Sequence, residues 1–281
     1  MTPEATNYLG YEVDMSLNQL RIVIKGAGEM ASGVTVGLFK SGFTRICLTE
    51  IPEPQAVRRK VSFCEAVYDG VKTVEEVTAR LVKSFEQVQQ VWESAQIPII
   101  VDPETGVIAF LKPDVVVDAI LAKKNLVTKM TDAPLVIGLG PGFRVGRDVH
   151  LVIETNRGHN LGRIIDQGEA EANTGIPGLI AGYGQERVIR GPKTGRLKTF
   201  KDIGELVEAN DVIAEVEGTP VIARIGGIIR GMLRDGTNVS MGMKAGDIDP
   251  RGKKEYCYTV SEKARAIGGA VLEGILSHFN R

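Results

Sequence analysis

Leu20-Arg21-Ile22-Val23-Ile24-Lys25 runs directly into Gly26-Ala27-Gly28-Glu29-Met30-Ala31, and the reading of the fold starts from that junction. The first six residues are apolar enough for a buried strand. The glycines then force a turn, and a helical pattern runs from about Glu29 to Lys40 before Ser41-Gly42 stops it. Arg45 to Thr49 is a second apolar strand ending at Glu50, so the unit is a strand–helix–strand of βαβ size. Gly26-x-Gly28-x-x-Ala31 in that context matches what a dinucleotide-binding turn requires. The first glycine allows the tight turn, the second lets backbone approach phosphate, and the small third residue permits close helix–strand packing. Amide groups and the helix dipole favour an anion there, and Glu50 stands where an acid accepts hydrogen bonds from a ribose. Gly26, Gly28, Glu29, Ala31 and Glu50 are therefore candidate ligand-binding residues. Glu29 itself opposes a pyrophosphate unless its carboxylate points away or is neutralised. Arg58-Arg59-Lys60, after the second strand, offers cations for a 2′-phosphate, though a solvated charged loop is the favoured reading.

Further along, Thr73 to Ser94 carries helical spacing through Val74, Val77, Leu81, Phe85, Val88, Val91 and Trp92. Strands are expected at Ile97–Val101, Asp114–Asp118, Pro134–Gly138 and Val149–Ile153, with a short helix at Ala119–Lys124. Apolar strands without alternation imply a parallel sheet covered on both faces. In such sheets ligands bind at the carboxyl ends of strands. That rule adds Asp102, Asp118, Gly140 and Gly142 of a second glycine loop, and the polar run Glu154-Thr155-Asn156-Arg157-Gly158-His159-Asn160. The second loop reads equally as an anion nest or a plain tight turn. Within the run, Asn156 is a candidate cofactor contact, and His159, Arg157 and Glu154 are candidate catalytic groups, His159 as a general base. No spacing of ligands indicates a metal. His150, inside a strand, reads as a satisfied core histidine. Asp166 to Gly178 is polar and reads as a site loop or a linker.

From Gly162 the character changes to glycines and short β-rich segments: Glu186–Ile189, Leu197–Phe200, Val212–Glu217, Val221–Ile225 and Ile228–Leu233. Such spacing predicts a small β barrel or sandwich. Ser261 to Phe279 reads as one amphipathic helix, capped by Ser261 and packing back on the body. The expected organisation is an extension over 1–20, a Rossmann-like α/β nucleotide-binding domain over 21–165, a β barrel-sandwich domain over 166–260 and a returning helix over 261–281.

Composition narrows the function. The chain has 281 residues, 43% hydrophobic and 25% charged, with a net charge of -1. No basic field recruits nucleic acid, and no apolar run approaches the ~20 residues of a membrane span. The first residues lack the pattern of a signal peptide, so a cytoplasmic location is expected. The three cysteines, Cys47, Cys64 and Cys257, form no C-x-x-C pair. There is no P-loop and no G-x-S-x-G elbow.

Three runs carry a family resemblance: IKGAGEMASGVTVGLFKSGF, LTEIPEPQAVRRKVSFCEAVYDG and GLGPGFRVGRDVHLVIETNRGHNLGRII. They closely resemble the YqeB family, described as selenium-dependent molybdenum hydroxylase maturation proteins. The resemblance implies a maturation or assembly factor working with a molybdenum hydroxylase or with other maturation factors. It names a pathway and carries no catalytic residues. The segment from Gly204 to Gly252 also looks like a lipoyl- or biotinyl-type barrel-sandwich hybrid, but its hairpin tip, Glu217-Gly218-Thr219-Pro220, has no lysine to modify. The cofactor implied is NAD(P) or another nucleotide, including a dinucleotide form of the molybdenum cofactor. Two other readings stay open: an NAD(P)-dependent oxidoreductase with His159 as proton donor, and a non-enzymatic assembly chaperone with a vestigial Rossmann turn. Whether a reaction is catalysed, and whether the chain forms a homo-oligomer, also stay open.

Overall fold

The structure, a computed structural model, describes residues 17–280. Most of the expected 1–20 extension, and Arg281, lie outside the described residues. The chain is a mixed α/β protein with one large, mostly parallel sheet and two smaller antiparallel sheets.

The large sheet is built from β1 (Ile22–Lys25), α1 (Glu29–Lys40), β2 (Ile46–Glu50), α2 (Ala66–Asp69), β3 (Val71–Val74), β4 (Val77–Val82), α3 (Gln87–Glu93), β5 (Ile97–Val101), α4 (Gly106–Leu111), β6 (Val115–Asp118), β7 (Leu135–Leu139), β8 (Leu151–Ile153) and β9 (Ile164–Ile165). Its order is β3-β4-β5-β2-β1-β6-β7-β8-β9. Strands β4 to β8 and β1, β2 pair in parallel, while β3 and β9 close the two edges antiparallel. Counting only β1, β2, β5, β6, β7 and β8, the spatial order is 3-2-1-4-5-6, with the winding direction reversing between β1 and β6.

Alternate residues of each strand serve opposite faces. Ile22, Ile24, Ile46, Leu48, Ile97 and Ile99 join α1 in one core; Val23, Cys47, Ile100 and Val116 join α3 and α4 in another. Both faces are thus buried, as the unbroken apolar strands require.

Two expected helices do not form. Residues 73–94 hold a hairpin and only a short helix. Glu75 and Glu76 both adopt positive φ (46° and 74°), a two-residue turn that sets Val74 opposite Val77. The valines spaced for one helix face are a cross-strand pair instead, and their β-branching suits the strand. Residues 119–124 run as irregular backbone because Asp118 accepts from the Ile120 N–H and both Leu121 and Lys123 are left-handed.

The second half folds as β10 (Val188–Arg190), β11 (Gly195–Thr199), β12 (Leu206–Val207), β13 (Val212–Val216), β14 (Thr219–Ile222), β15 (Gly227–Met232), β16 (Asn238–Val239) and β17 (Lys244–Asp249). Two four-stranded antiparallel sheets, β10-β17-β15-β12 and β14-β13-β11-β16, enclose one core that includes Leu197, Ile213, Val216, Ile229 and Met232. The final helix, α5 (Glu262–Phe279), is capped by Ser261, whose hydroxyl accepts from the Ala264 N–H. It returns to the large sheet and packs on α1, β7 and β8. There it covers strands whose connections from β6 and β7 contain no α-helix. The crossing with α1 is close: a β-carbon built at Gly33 would stand 2.6 Å from the Ala264 β-carbon, and one at Gly268 would stand 3.0 Å from the Gly33 carbonyl oxygen.

Candidate functional site

A cavity of about 1530 Å³ opens at the carboxyl ends of β1, β2 and β6, where the winding reverses. This is larger than the ~300–1,000 Å³ of an ordinary small-molecule site. Its walls come from both halves of the chain: the turn at Gly26 to Met30, Glu50 and the segment after it, the segment after β6, Thr155 to Arg157, the loop 171–180, and Arg187, Arg230, Lys244 and Lys263.

The glycine turn takes its shape from β1 and β6. Gly26 has φ +86° and lies against the chain leaving β6, where an added β-carbon would meet Ile120 Cα at 3.2 Å. Gly28 differs. It is the N-cap of α1, with extended backbone (φ −69°), no side-chain cap and open space where a β-carbon would go. It is therefore a point where a phosphate can approach helix amides.

Glu50 has both oxygens engaged by backbone: Ala27 N–H donates to Oε2 and Ile51 N–H donates to Oε1, each at 2.9 Å. Burial raises its pKa, against those two hydrogen bonds, which lower it. One amide of the turn is thus already taken by the protein's own carboxylate. Glu29 is neutralised. Its Oε1 accepts from Arg58 Nη1 at 2.9 Å, and Arg58 Nη2 donates to the Tyr256 and Thr259 carbonyls. Arg58 is buried, which corrects the expectation of a solvated charged loop there. Burial pulls the Arg58 pKa down, and Glu29 acts in the opposite direction. Arg59 leaves the site for Asp202 and the Met232 carbonyl. Ala31 is fully buried in α1 and serves packing.

The polar run after β8 divides. Asn156 and Arg157 line the cavity, Asn156 bonded to Glu171 and Arg157 paired with Glu262. Glu154 is buried and accepts from the Asn156 and Glu171 amides, so it braces the loops instead of facing the space. His159 is exposed and does not line the cavity. The three candidate catalytic residues do not converge: only Arg157 reaches the site. Gly140 and Gly142 do not line it either. The Gly140 N–H donates to the Ile153 carbonyl, and Gly142 lies against the Lys124 backbone. Of that loop Pro141 alone lines the cavity, while its two glycines sit in a packed turn.

Asp102 accepts from the Gly106 and Val107 amides at the start of α4. Asp118 is buried with Thr128 and Lys25, its carboxylate 3.7 Å from the Lys25 amine. His150 accepts from the Val136 N–H at Nδ1, but it lies one residue before β8 and is half-buried, so it is satisfied without being a core strand residue. The stretch ending at Gly178 is a site loop: residues 171–180 form one wall, with Ile176 and Leu179 over 70% exposed. Cys64 also lines the cavity, but burial raises its thiol pKa well above normal and leaves it inert. Among the described residues no group of three or more His, Cys, Asp or Glu is placed to hold a metal ion. No described helix is long and apolar enough to cross a membrane.

Arg187, Arg230, Lys244 and Lys263 were not singled out by the sequence. They lie 100 residues or more beyond the glycine turn, in segments with no motif of their own, and reach the cavity only through the return of the second half.

No family model matches the chain. One relative does: the uncharacterized protein YqeB of Escherichia coli (strain K12), 48% identical over 255 residues, which span 91% of this chain and 47% of that protein. The chain is similar to YqeB. It spans about half of YqeB's length. The likeness agrees with the resemblance carried by the three sequence runs, and YqeB, being uncharacterized, lends no activity to it. Among solved structures, an aspartoacylase family protein from Mesorhizobium loti is 12% identical, covers 82% of this chain and 84% of its own, and superposes at a TM-score of 0.27. A succinylglutamate desuccinylase from a Silicibacter species is 13% identical over the same shares, at 0.23. Overlaps this slight carry no argument about fold or activity.

Proposed function

We propose that this chain is a YqeB-family maturation or assembly factor for a molybdenum hydroxylase, of the selenium-dependent kind the resemblance implies. It binds a nucleotide-containing ligand in a Rossmann-like site. The single observation carrying the binding claim is the meeting, in one cavity, of an open N-cap glycine, a strand-end acid and the Asn156-Arg157 pair, at the point where the parallel order reverses. Free helix amides at Met30 and its neighbours take a phosphate, and Glu50 retains lone pairs for a ribose hydroxyl while it holds the turn. The ligand is NAD(P), another nucleotide or a dinucleotide form of the molybdenum cofactor. The two antiparallel sheets read as a barrel-sandwich hybrid without a lysine at its hairpin tip, and so as a docking module for a hydroxylase or another maturation factor.

Isothermal titration of the full chain against NAD, NADP, mononucleotides and cytidine or guanosine diphosphate conjugates tests the binding claim. At least one binds in the micromolar range if the claim holds, and silence from all of them rejects it. The chaperone reading has one observation in its favour, the Glu50 carboxylate occupying the Ala27 amide. It predicts the same silence together with a stable complex with a hydroxylase. The oxidoreductase reading loses its proton donor, since His159 stands outside the cavity.

A further inference from the structure

The part of the cavity wall that the second half of the chain supplies is cationic and incompletely paired. Arg230 sits mid-strand in β15 with only 5% of its surface exposed. Among the described residues no acceptor hydrogen-bonds it. The acid beside it, Asp249, is 3.8 Å away, and Arg251 already occupies both of its oxygens. Arg187, 6% exposed, donates to the Gly178 carbonyl and reaches Asp247 at 3.4 Å. The Nε atoms of both arginines are buried with no acceptor, and Asp247 Oδ1 is buried with no donor. Buried guanidinium groups are normally fully paired, because the desolvation of a lone cation is costly. Here two of them face one cavity, with two lysines that no described acid pairs: Lys244 at the start of β17, and Lys263 in the first turn of α5. Burial first, then repulsion from Arg157 and Lys244, holds the Lys263 amine below its usual pKa, while the Glu29 and Glu154 carboxylates act in the opposite direction. A wall of this kind lacks an anion.

We propose that Arg187 and Arg230, with Lys244 and Lys263 beside them, form a second anion subsite that receives a phosphate or carboxylate group of the ligand. The planar forks of two guanidinium groups match such oxyanions, which accept several N–H groups at once. Read together with the nucleotide site proposed above, on which this step rests, the ligand carries two anionic groups at separate places. One lies on the helix amides at Gly28. The other bridges to the β-sheet half, so binding draws the two halves onto one molecule. A plain mononucleotide fills only part of the space; a nucleotide diphosphate conjugate with a second acidic group fills both subsites.

The test isolates the wall. Gly28→Asp places a carboxylate at the glycine turn, where an added β-carbon meets no atom within 4 Å, and closes the turn to anions while Arg187 and Arg230 keep their side chains. Isothermal titration of Gly28→Asp with inorganic pyrophosphate is expected to show binding. Adding Arg230→Met weakens that binding about tenfold or more, the scale of a lost charge-assisted contact. Adding Lys244→Ala, at an exposed side chain, weakens it less, by about threefold, within the range of a partly screened cation. Pyrophosphate binding left unchanged by both additions, or none in Gly28→Asp, overturns the subsite. A second readout guards against a structural role. In anion-free buffer Arg230→Met unfolds at the same temperature or higher, since it removes an uncompensated charge, and a clear fall overturns the proposal. The nucleotide reading fails by a different result: nucleotide affinity in Gly28→Asp equal to that of the wild type.

Discussion

Gly26 and Gly28 are two residues apart, and the same substitution separates their roles. At Gly26 an alanine meets both a positive φ and the backbone of Ile120. Gly26→Ala is expected to cost about 1–3 kcal/mol of stability, read by denaturant unfolding. At Gly28 the backbone is already extended and the space is open, so Gly28→Asp supplies the cap that α1 lacks. Its unfolding free energy is expected to hold or to rise by about 0.5 kcal/mol, as an Asp N-cap gains over Gly, while nucleotide binding is lost. Arg58 is the other residue with a disproportionate effect. It neutralises Glu29 and ties the segment after β2 to two carbonyls before α5. Arg58→Met leaves those part-buried acceptors without a donor and is expected to cost about 1–3 kcal/mol. Glu29→Gln in the same chain recovers part of it, which a double-mutant cycle measures.

At the scale of elements, α5 does the work of a missing crossover. It lies against α1 so closely that Gly33 and Gly268 have no room for a β-carbon. Gly268→Leu is expected to lower stability by about 1–3 kcal/mol through overpacking, seen in the thermal unfolding midpoint. The βαβ start, the six central strands and the capped final helix were legible in the sequence, since each is a continuous apolar pattern bounded by glycine or a cap. The β3–β4 hairpin was not, because Val74 and Val77 satisfy a helical spacing and a cross-strand pairing alike. Only the left-handed backbone at Glu75 and Glu76, which no glycine announces, decides between them. The site was half legible. A motif marks Gly26, Gly28 and Glu50. Nothing local distinguishes Glu154, which braces, from Asn156, which lines the cavity, and nothing ties Arg187 or Arg230 to a turn near residue 28 until the second half has folded back.

Across the whole molecule, the cavity lies where the parallel sheet meets the antiparallel sheets, which Arg58, Arg59 and Arg234 already tie together, and the proposed ligand would add a further link between them. A nucleotide that binds as proposed is expected to raise the unfolding temperature of both halves together, read by calorimetry. The three cysteines are free and buried, with burial as the first cause of a raised thiol pKa at each. The native protein is therefore expected to take up no aromatic disulfide reagent at pH 8, and three equivalents once unfolded in guanidinium. Rapid native labelling at Cys64, the one thiol lining the cavity, would contradict the packing at the glycine turn. The most direct test is mass identification of what co-purifies with the wild-type chain and with Gly28→Asp from the native host. A phosphate-bearing nucleotide on the wild type and none on the variant is the predicted result. An empty wild type, or equal amounts on both, would contradict it.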